Sequence, residues 1–197
     1  MRLGLYGGTF DPIHCAHLRV AEAAHERFGL DKVLLIPNRL PPHKQTATSA
    51  SFEDRLAMVE IVCRMHPWLE ACGIENHDGK SYTIRTLERL RIQYGDAAQF
   101  FFIIGADAFA EVMTWYQVED VFQMTEFIVA DRPGFDYEVP ADAGVHQLAG
   151  TQLDESSTAI REELSAGRIA RGLLPEVAEY IREHGLYRVA GQYAGSA

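Results

Sequence analysis

Short apolar runs alternate along this chain with stretches whose apolar residues recur every three to four positions. The first run, Leu3-Gly4-Leu5-Tyr6, begins almost at the first residue and is broken by Gly7-Gly8. Asp11-Pro12 marks a turn, and Leu18, Ala21, Ala24 and Phe28 then fall at helical spacing, so the opening predicts strand, glycine turn, helix. Lys32-Val33-Leu34-Leu35-Ile36, closed by Pro37, predicts a second buried strand joined to the first through that helix, the parallel arrangement. A polar loop over 38–50 follows, and Phe52, Leu56, Val59 and Val62 return to helical spacing. Residues 68–74 predict a weaker third strand and 75–80 a turn. Ser81-Tyr82-Thr83 opens a helix bearing Ile84, Leu87 and Leu90, with Gly95 as its stop.

Residues 100–104, Phe-Phe-Phe-Ile-Ile, are the most apolar run and predict a central strand. Helical stretches over 108–113 and 115–124, a strand over 127–130, a loop over 131–144 and a short edge strand over 145–148 complete the middle. Helices over 158–165 and 175–184 end the pattern. Strands alternating with helices predict an α/β fold with a doubly wound, mostly parallel sheet, in one domain over 1–190 with a loose tail over 191–197. In such sheets ligands bind outside the carboxyl ends of the strands. Gly7-Gly8, Gly105-Ala106-Asp107 and Arg132-Pro133-Gly134 each follow a predicted strand, which places the site there.

The 197 residues, 47% hydrophobic and 23% charged, suit one globular domain. Eighteen basic against 28 acidic residues give a net charge of −10, which argues against broad nucleic-acid binding but not against a nucleotide. No secretory segment or run of membrane-spanning length is apparent. Three cysteines without a spacing pattern fit a reduced, cytoplasmic protein.

The chemistry gathers where the first helix should start. His14 and His17, three apart, place both imidazoles on one side of its first turn, where free amides and the helix dipole favour an anion. Gly7 and Gly8 let a phosphate approach the backbone. A metal site with Cys15 and His25 is disfavoured, because Cys15 points elsewhere on the helix and no second ligand cluster accompanies it; no metal site is expected. Ser156, Ser157, Thr158 and Arg161 read as a second anion site at another helix start, although such hydroxyls also serve as plain caps. Pro41-Pro42 would hold His43 and Lys44 extended and aimed.

The segment Gly7-Gly8-Thr9-Phe10-Asp11-Pro12-Ile13-His14-Cys15-Ala16-His17 resembles the G-G-T-F-D-P-x-H-x-G-H motif of the nucleotidyltransferase superfamily, in the form used by bacterial nicotinate-nucleotide adenylyltransferases. Ser156-Ser157-Thr158-Ala159-Ile160-Arg161 resembles that family's S-S-T-x-I-R motif. Pro41-Pro42-His43-Lys44, Ser81-Tyr82-Thr83, Ile104-Gly105-Ala106-Asp107, Thr114-Trp115-Tyr116 and Arg132-Pro133-Gly134 match between them in order. Ala16 and Glu155 depart, the first replacing a glycine and the second an apolar residue.

The resemblance implies a Rossmann-like nucleotidyltransferase fold and adenylyl transfer from ATP to nicotinate mononucleotide, with Mg²⁺ and no covalent intermediate. It puts His14 and His17 on the ATP phosphates as catalytic residues, with Gly7, Gly8, Thr9, Phe10, Ser156, Ser157, Thr158 and Arg161 also on the ATP side. His43, Lys44 and Arg132 would hold the acceptor phosphate and Asp107, beside Gly105, a ribose hydroxyl. Trp115 would stack on the pyridine ring, with Tyr82 alongside and amides near Thr83 and Tyr116 receiving the carboxylate. The partners implied are small molecules, with no nucleic acid and no membrane; a homo-oligomer is left open. Nicotinamide mononucleotide or phosphopantetheine as acceptor, and a nucleotide sensor without turnover, are the alternatives.

Overall fold

The computed structural model describes residues 1–39, 48–77, 80–132, 134–151 and 155–188. Six strands form one sheet: β1 (Arg2–Gly8), β2 (Lys32–Pro37), β3 (Leu69–Ala71), β4 (Gln99–Gly105), β5 (Glu126–Ala130) and β6 (Val145–Leu148). Their order is β3-β2-β1-β4-β5-β6, with every pairing parallel. The sheet is thus wholly rather than mostly parallel among the described residues. Chain direction across it reverses between β1 and β4, the switch point at which a crevice opens beyond the strand ends.

Period-2 alternation divides the central strands between two cores. Val33, Leu35, Phe101, Ile103 and Ile128 face one layer, covered by Ala21 and Ala24 of α1 (Cys15–Phe28), Val59 and Val62 of α2 (Phe52–Cys63) and Val177 and Ile181 of α7 (Pro175–Glu183). Leu3, Leu5, Leu34, Phe100 and Phe127 face the other, covered by Ile84, Leu87 and Leu90 of α3 (Thr83–Tyr94), Phe109 of α4 (Ala106–Phe109) and Val121 of α5 (Val118–Met124). Truncating a fully buried residue such as Leu87 to alanine should cost about 2–5 kcal/mol. Gly4 is required by packing, since a Cβ there would meet Leu30, Ile103 and Val33 side chains at 2.8–3.0 Å.

Four expectations are corrected. The third strand is confined to Leu69–Ala71, matching the three-residue register it has with β2. Residues 108–113 are not one helix: α4 ends at Phe109 and a 3₁₀ turn occupies Val112–Thr114. Residues 115–117 precede α5 because Trp115 is extended and Gln117 adopts a left-handed φ of 53°, which no helix continues. On α2, Arg55 is 1% exposed and takes an inward place that the apolar spacing gave to Leu56, which is only half-buried. The predicted tail over 191–197 lies outside the described residues. Among the described residues no helix is long and apolar enough to cross a membrane.

Candidate active site

The chain leaves β1 through an irregular segment that the rest of the molecule holds in place. The Asp11–Pro12 peptide is cis and Phe10 has a φ of 49°. The Phe10 ring is buried, 1% exposed. A Cβ on Gly8 would meet that ring at 2.8–3.1 Å, so Gly8 makes room for Phe10. Irregular backbone needs donors from elsewhere. Arg55 Nη1 supplies them to the carbonyls of Thr9 (2.6 Å) and Asn38 (2.9 Å). The Asp11 carboxylate accepts from the amides of Ser49 (2.8 Å) and Ala50 (3.1 Å) and from the Tyr187 hydroxyl (2.8 Å).

His14 is the N-cap of α1 and its backbone N–H donates to His17 Nδ1 at 3.3 Å. With Nδ1 accepting, the neutral His17 ring carries its proton on Nε2, where it can donate to an anion. The two imidazole centroids are 3.9 Å apart. His14 is 4% exposed and its Nδ1 is buried without a hydrogen-bond partner among the described residues. Burial pushes the His14 pKa down to about 4, against an opposing pull from Glu155. Ligand-free His14 is therefore uncharged near neutrality; a phosphate beside it would raise its pKa and draw a proton to it.

The second motif docks onto the first. Ser156 caps α6 (Ser157–Ser165), accepting from the Ala159 amide at 3.2 Å. Ser157 Oγ donates to the Pro12 carbonyl (3.1 Å), Arg161 Nη1 to the Asp11 carbonyl (2.7 Å) and Arg161 Nη2 to Thr158 Oγ1 (3.3 Å). The capping reading of Ser156 is thus correct, and Ser157 and Arg161 draw a second helix start against the first. Glu155, the other departure, packs where Gly172 leaves space: a Cβ there would lie 2.4 Å from Glu155 Cγ.

Beyond Gly7 lies a cavity of about 800 Å³. Its lining includes Gly7, Tyr82, Thr83, Asp107, Trp115 and Tyr116, all singled out in the sequence, and brings in Glu75, Lys80, Thr86, Phe102 and Glu111, which were not. Trp115 stands edge-on to Phe102 with centroids 5.6 Å apart, and the Tyr82 and Tyr116 rings are 5.1 Å apart. The first amides of α3, around Thr83, have no intrahelical acceptor. Arg132 is paired with Asp107, so two expected ligand groups meet each other. Gly105 lies below them: a Cβ there would meet Asp107 Oδ1 at 2.6 Å. His43 and Lys44 lie outside the described residues.

The overlooked residues share a cause. Glu75 sat in a stretch read only as a turn, and Arg55 and Tyr187 act through tertiary contacts that no local spacing announces. Among the described residues no group of three or more His, Cys, Asp or Glu is placed to hold a metal ion.

The Cytidylyltransferase-like family model matches residues 5–163. A probable nicotinate-nucleotide adenylyltransferase of Solibacter usitatus (strain Ellin6076) is 44% identical over 187 residues, spanning 95% of this chain and all (100%) of that protein. Another, of Syntrophotalea carbinolica (strain DSM 2380 / NBRC 103641 / GraBd1), is 42% identical over 214 residues, spanning 95% of this chain and 98% of that protein. Among solved structures, the Plasmodium falciparum nicotinic acid mononucleotide adenylyltransferase complexed with NaAD superposes with a TM-score of 0.78 at 20% identity, covering 94% of this chain and 97% of that one. At that identity the likeness is one of fold.

Proposed function

This chain belongs to the cytidylyltransferase-like family and, within it, to the nicotinate-nucleotide adenylyltransferases, and we propose that it transfers the adenylyl group of ATP to nicotinate mononucleotide, giving deamido-NAD and pyrophosphate in NAD biosynthesis. The observation that carries the reading is the joining of two helix starts, at His14 and Ser157, beside an aromatic cavity that opens at the same glycine turn.

In this proposal an oxygen of the acceptor phosphate attacks the α-phosphorus of ATP in line. The new P–O bond forms as the bond to the β-phosphate oxygen breaks, and pyrophosphate leaves with the electron pair. The attacking phosphate is already anionic, so positioning and charge neutralisation suffice. His14 and His17 hold the phosphates and meet the charge of the transition state, with Gly7, Thr9, Thr158 and Arg161 around them. Phe10 contributes through its backbone, its ring being in the core. Mg²⁺ enters as part of the ATP substrate. Trp115 stacks on the pyridine ring, amides of Thr83 and Tyr116 receive its carboxylate, and Asp107 and Arg132 exchange their mutual pair for ribose and phosphate. The reaction is placed in the cytoplasm.

Pyrophosphate release from ATP with nicotinate mononucleotide, nicotinamide mononucleotide or phosphopantetheine tests this. Amides that read a carboxylate would face a donor in the nicotinamide compound, a mispairing of ~1–3 kcal/mol, so kcat/KM should favour the acid roughly tenfold to a hundredfold. Equal rates for acid and amide defeat the acceptor assignment; no release with any acceptor leaves the sensor alternative.

A further inference from the structure

Glu75 stands immediately before the segment that leads into α3. It is 3% exposed and lines the cavity. Its Oε1 accepts a hydrogen bond from the Thr86 hydroxyl. Its Oε2 is buried and has no hydrogen-bond partner among the described residues. Among the described residues the basic group within ion-pair reach of it is His77, whose Nε2 lies 3.9 Å from Oε2, beyond hydrogen-bond distance. A carboxylate oxygen held out of water without a donor is costly to the fold. Thr86 does not require it, since its hydroxyl also reaches the Tyr82 carbonyl at 3.5 Å.

The surroundings indicate what such a group meets when the cavity fills. The walls include the rings of Tyr82, Phe102, Trp115 and Tyr116. Among the described residues the charged side chains of the lining are Glu75, Asp107 and Glu111 against Lys80. Asp107 is matched by Arg132 from outside the lining, so among the described lining residues two carboxylates, Glu75 and Glu111, stand against Lys80, with the Arg39 guanidinium held nearby on Asn76. Flat π faces together with unmatched carboxylate suit a flat cation.

We propose that Glu75 is a specificity-determining residue that recognises the positive charge of a pyridinium ring stacked in this cavity. The proposal rests on the reading of the acceptor as a pyridine mononucleotide. The ring nitrogen of such a compound is fully substituted and has no hydrogen to donate, so the recognition is Coulombic and responds to charge rather than to shape.

The test compares nicotinate mononucleotide with its neutral isostere, the 3-carboxyphenyl C-riboside 5′-phosphate. Binding of each is measured by calorimetry and kcat/KM by pyrophosphate release, in the wild type and in Glu75→Gln. The wild type should bind the cationic ring roughly tenfold or more tighter, and Glu75→Gln should bring the two rings within about threefold by weakening the cationic one. If the glutamine variant does not fold, Glu75→Met with Thr86→Val removes both partners of the hydrogen bond, leaves no orphan, and should equalise the rings in the same way. A wild type indifferent to ring charge, or a preference untouched by these substitutions, makes Glu75 a structural partner of Thr86 and overturns the proposal. Binding separates this from the wider reading. A wild type that prefers the cationic ring but releases no pyrophosphate keeps Glu75 and loses the transferase, whereas one that binds neither ring overturns the Glu75 assignment.

Discussion

Around the start of α1 the groups offered to a nucleotide are held by distant parts of the molecule, whereas around the aromatic cavity they are held largely by one another. Asp11 alone ties in the amides of Ser49 and Ala50, the hydroxyl of Tyr187 and the guanidinium of Arg161. Phe10, Asp11, His14 and Arg55 are all buried. At the cavity Tyr116 is 52% and Phe135 48% exposed, Tyr82 meets Tyr116, and Asp107 meets Arg132. The contrast fits a division of labour. Phosphoryl chemistry needs atoms fixed before the substrate arrives, while selection of a ring tolerates walls that adjust to it.

The sharpest way to break that contrast is to remove the buried cation of the fixed end. Arg55→Met leaves the carbonyls of Thr9 and Asn38 without their donor and removes a positive charge beside Asp11. A loss of about 3–5 kcal/mol is expected. In a domain of this size that lowers Tm by roughly 6–20 °C, read by thermal unfolding. Tyr116→Ala at the exposed end should stay within about 0.5 kcal/mol. Equal Tm shifts for the two variants would erase the distinction.

Next is the chemistry itself. His17→Ala should lower kcat by at least ~10²-fold with the fold intact, as loss of a transition-state contact worth about 3 kcal/mol. A near-normal rate in the folded variant would remove His17 from the mechanism.

The same contrast explains what could be read from the chain. The strands over 32–37 and 99–105 and the helix face of Ile84, Leu87 and Leu90 are local patterns, and local patterns are legible because burial follows their period. The histidine pair was legible because His14 and His17 lie within one helical turn. The region that aims Trp115 and Tyr116 was not. Propensity favours one long helix there, and no local spacing announces the left-handed Gln117 that stops it. Glu75 and Arg55 were equally hidden, since a glutamate in a polar turn and an arginine among apolar helix residues read as solvent-facing until the tertiary structure buries them.

His14 sharpens the comparison through pH. Its pKa is pushed down to about 4 by burial, below that of an unfolded histidine. Between those two values the unfolded chain binds the extra proton, so stability rises with pH; this contribution is present near neutrality and is lost as pH falls from about 6.5 toward 4. From pH 7 to pH 5 the loss should be about 2 kcal/mol, seen as a fall in Tm that is shallower in His14→Gln. An equally steep fall in that variant would place the titrating group elsewhere.

The smallest effect is expected at Ala16, where the family motif has glycine. A glycine here could supply a positive φ or merely leave room for the nucleotide. Ala16 lies inside α1, and among the described residues the non-glycine positions with positive φ are Phe10, Gln117 and Tyr187, so no left-handed conformation is required of it. Alanine in that first turn is the better helix former by at most ~1 kcal/mol, and its methyl is the smallest intrusion a ligand could meet. Ala16→Gly should therefore change kcat/KM by less than about tenfold, or ~1.4 kcal/mol, and lower Tm slightly. A hundredfold gain in kcat/KM would show instead that the methyl obstructs ATP, making the fixed end of the site rigid in an unproductive shape and favouring a nucleotide sensor over an enzyme.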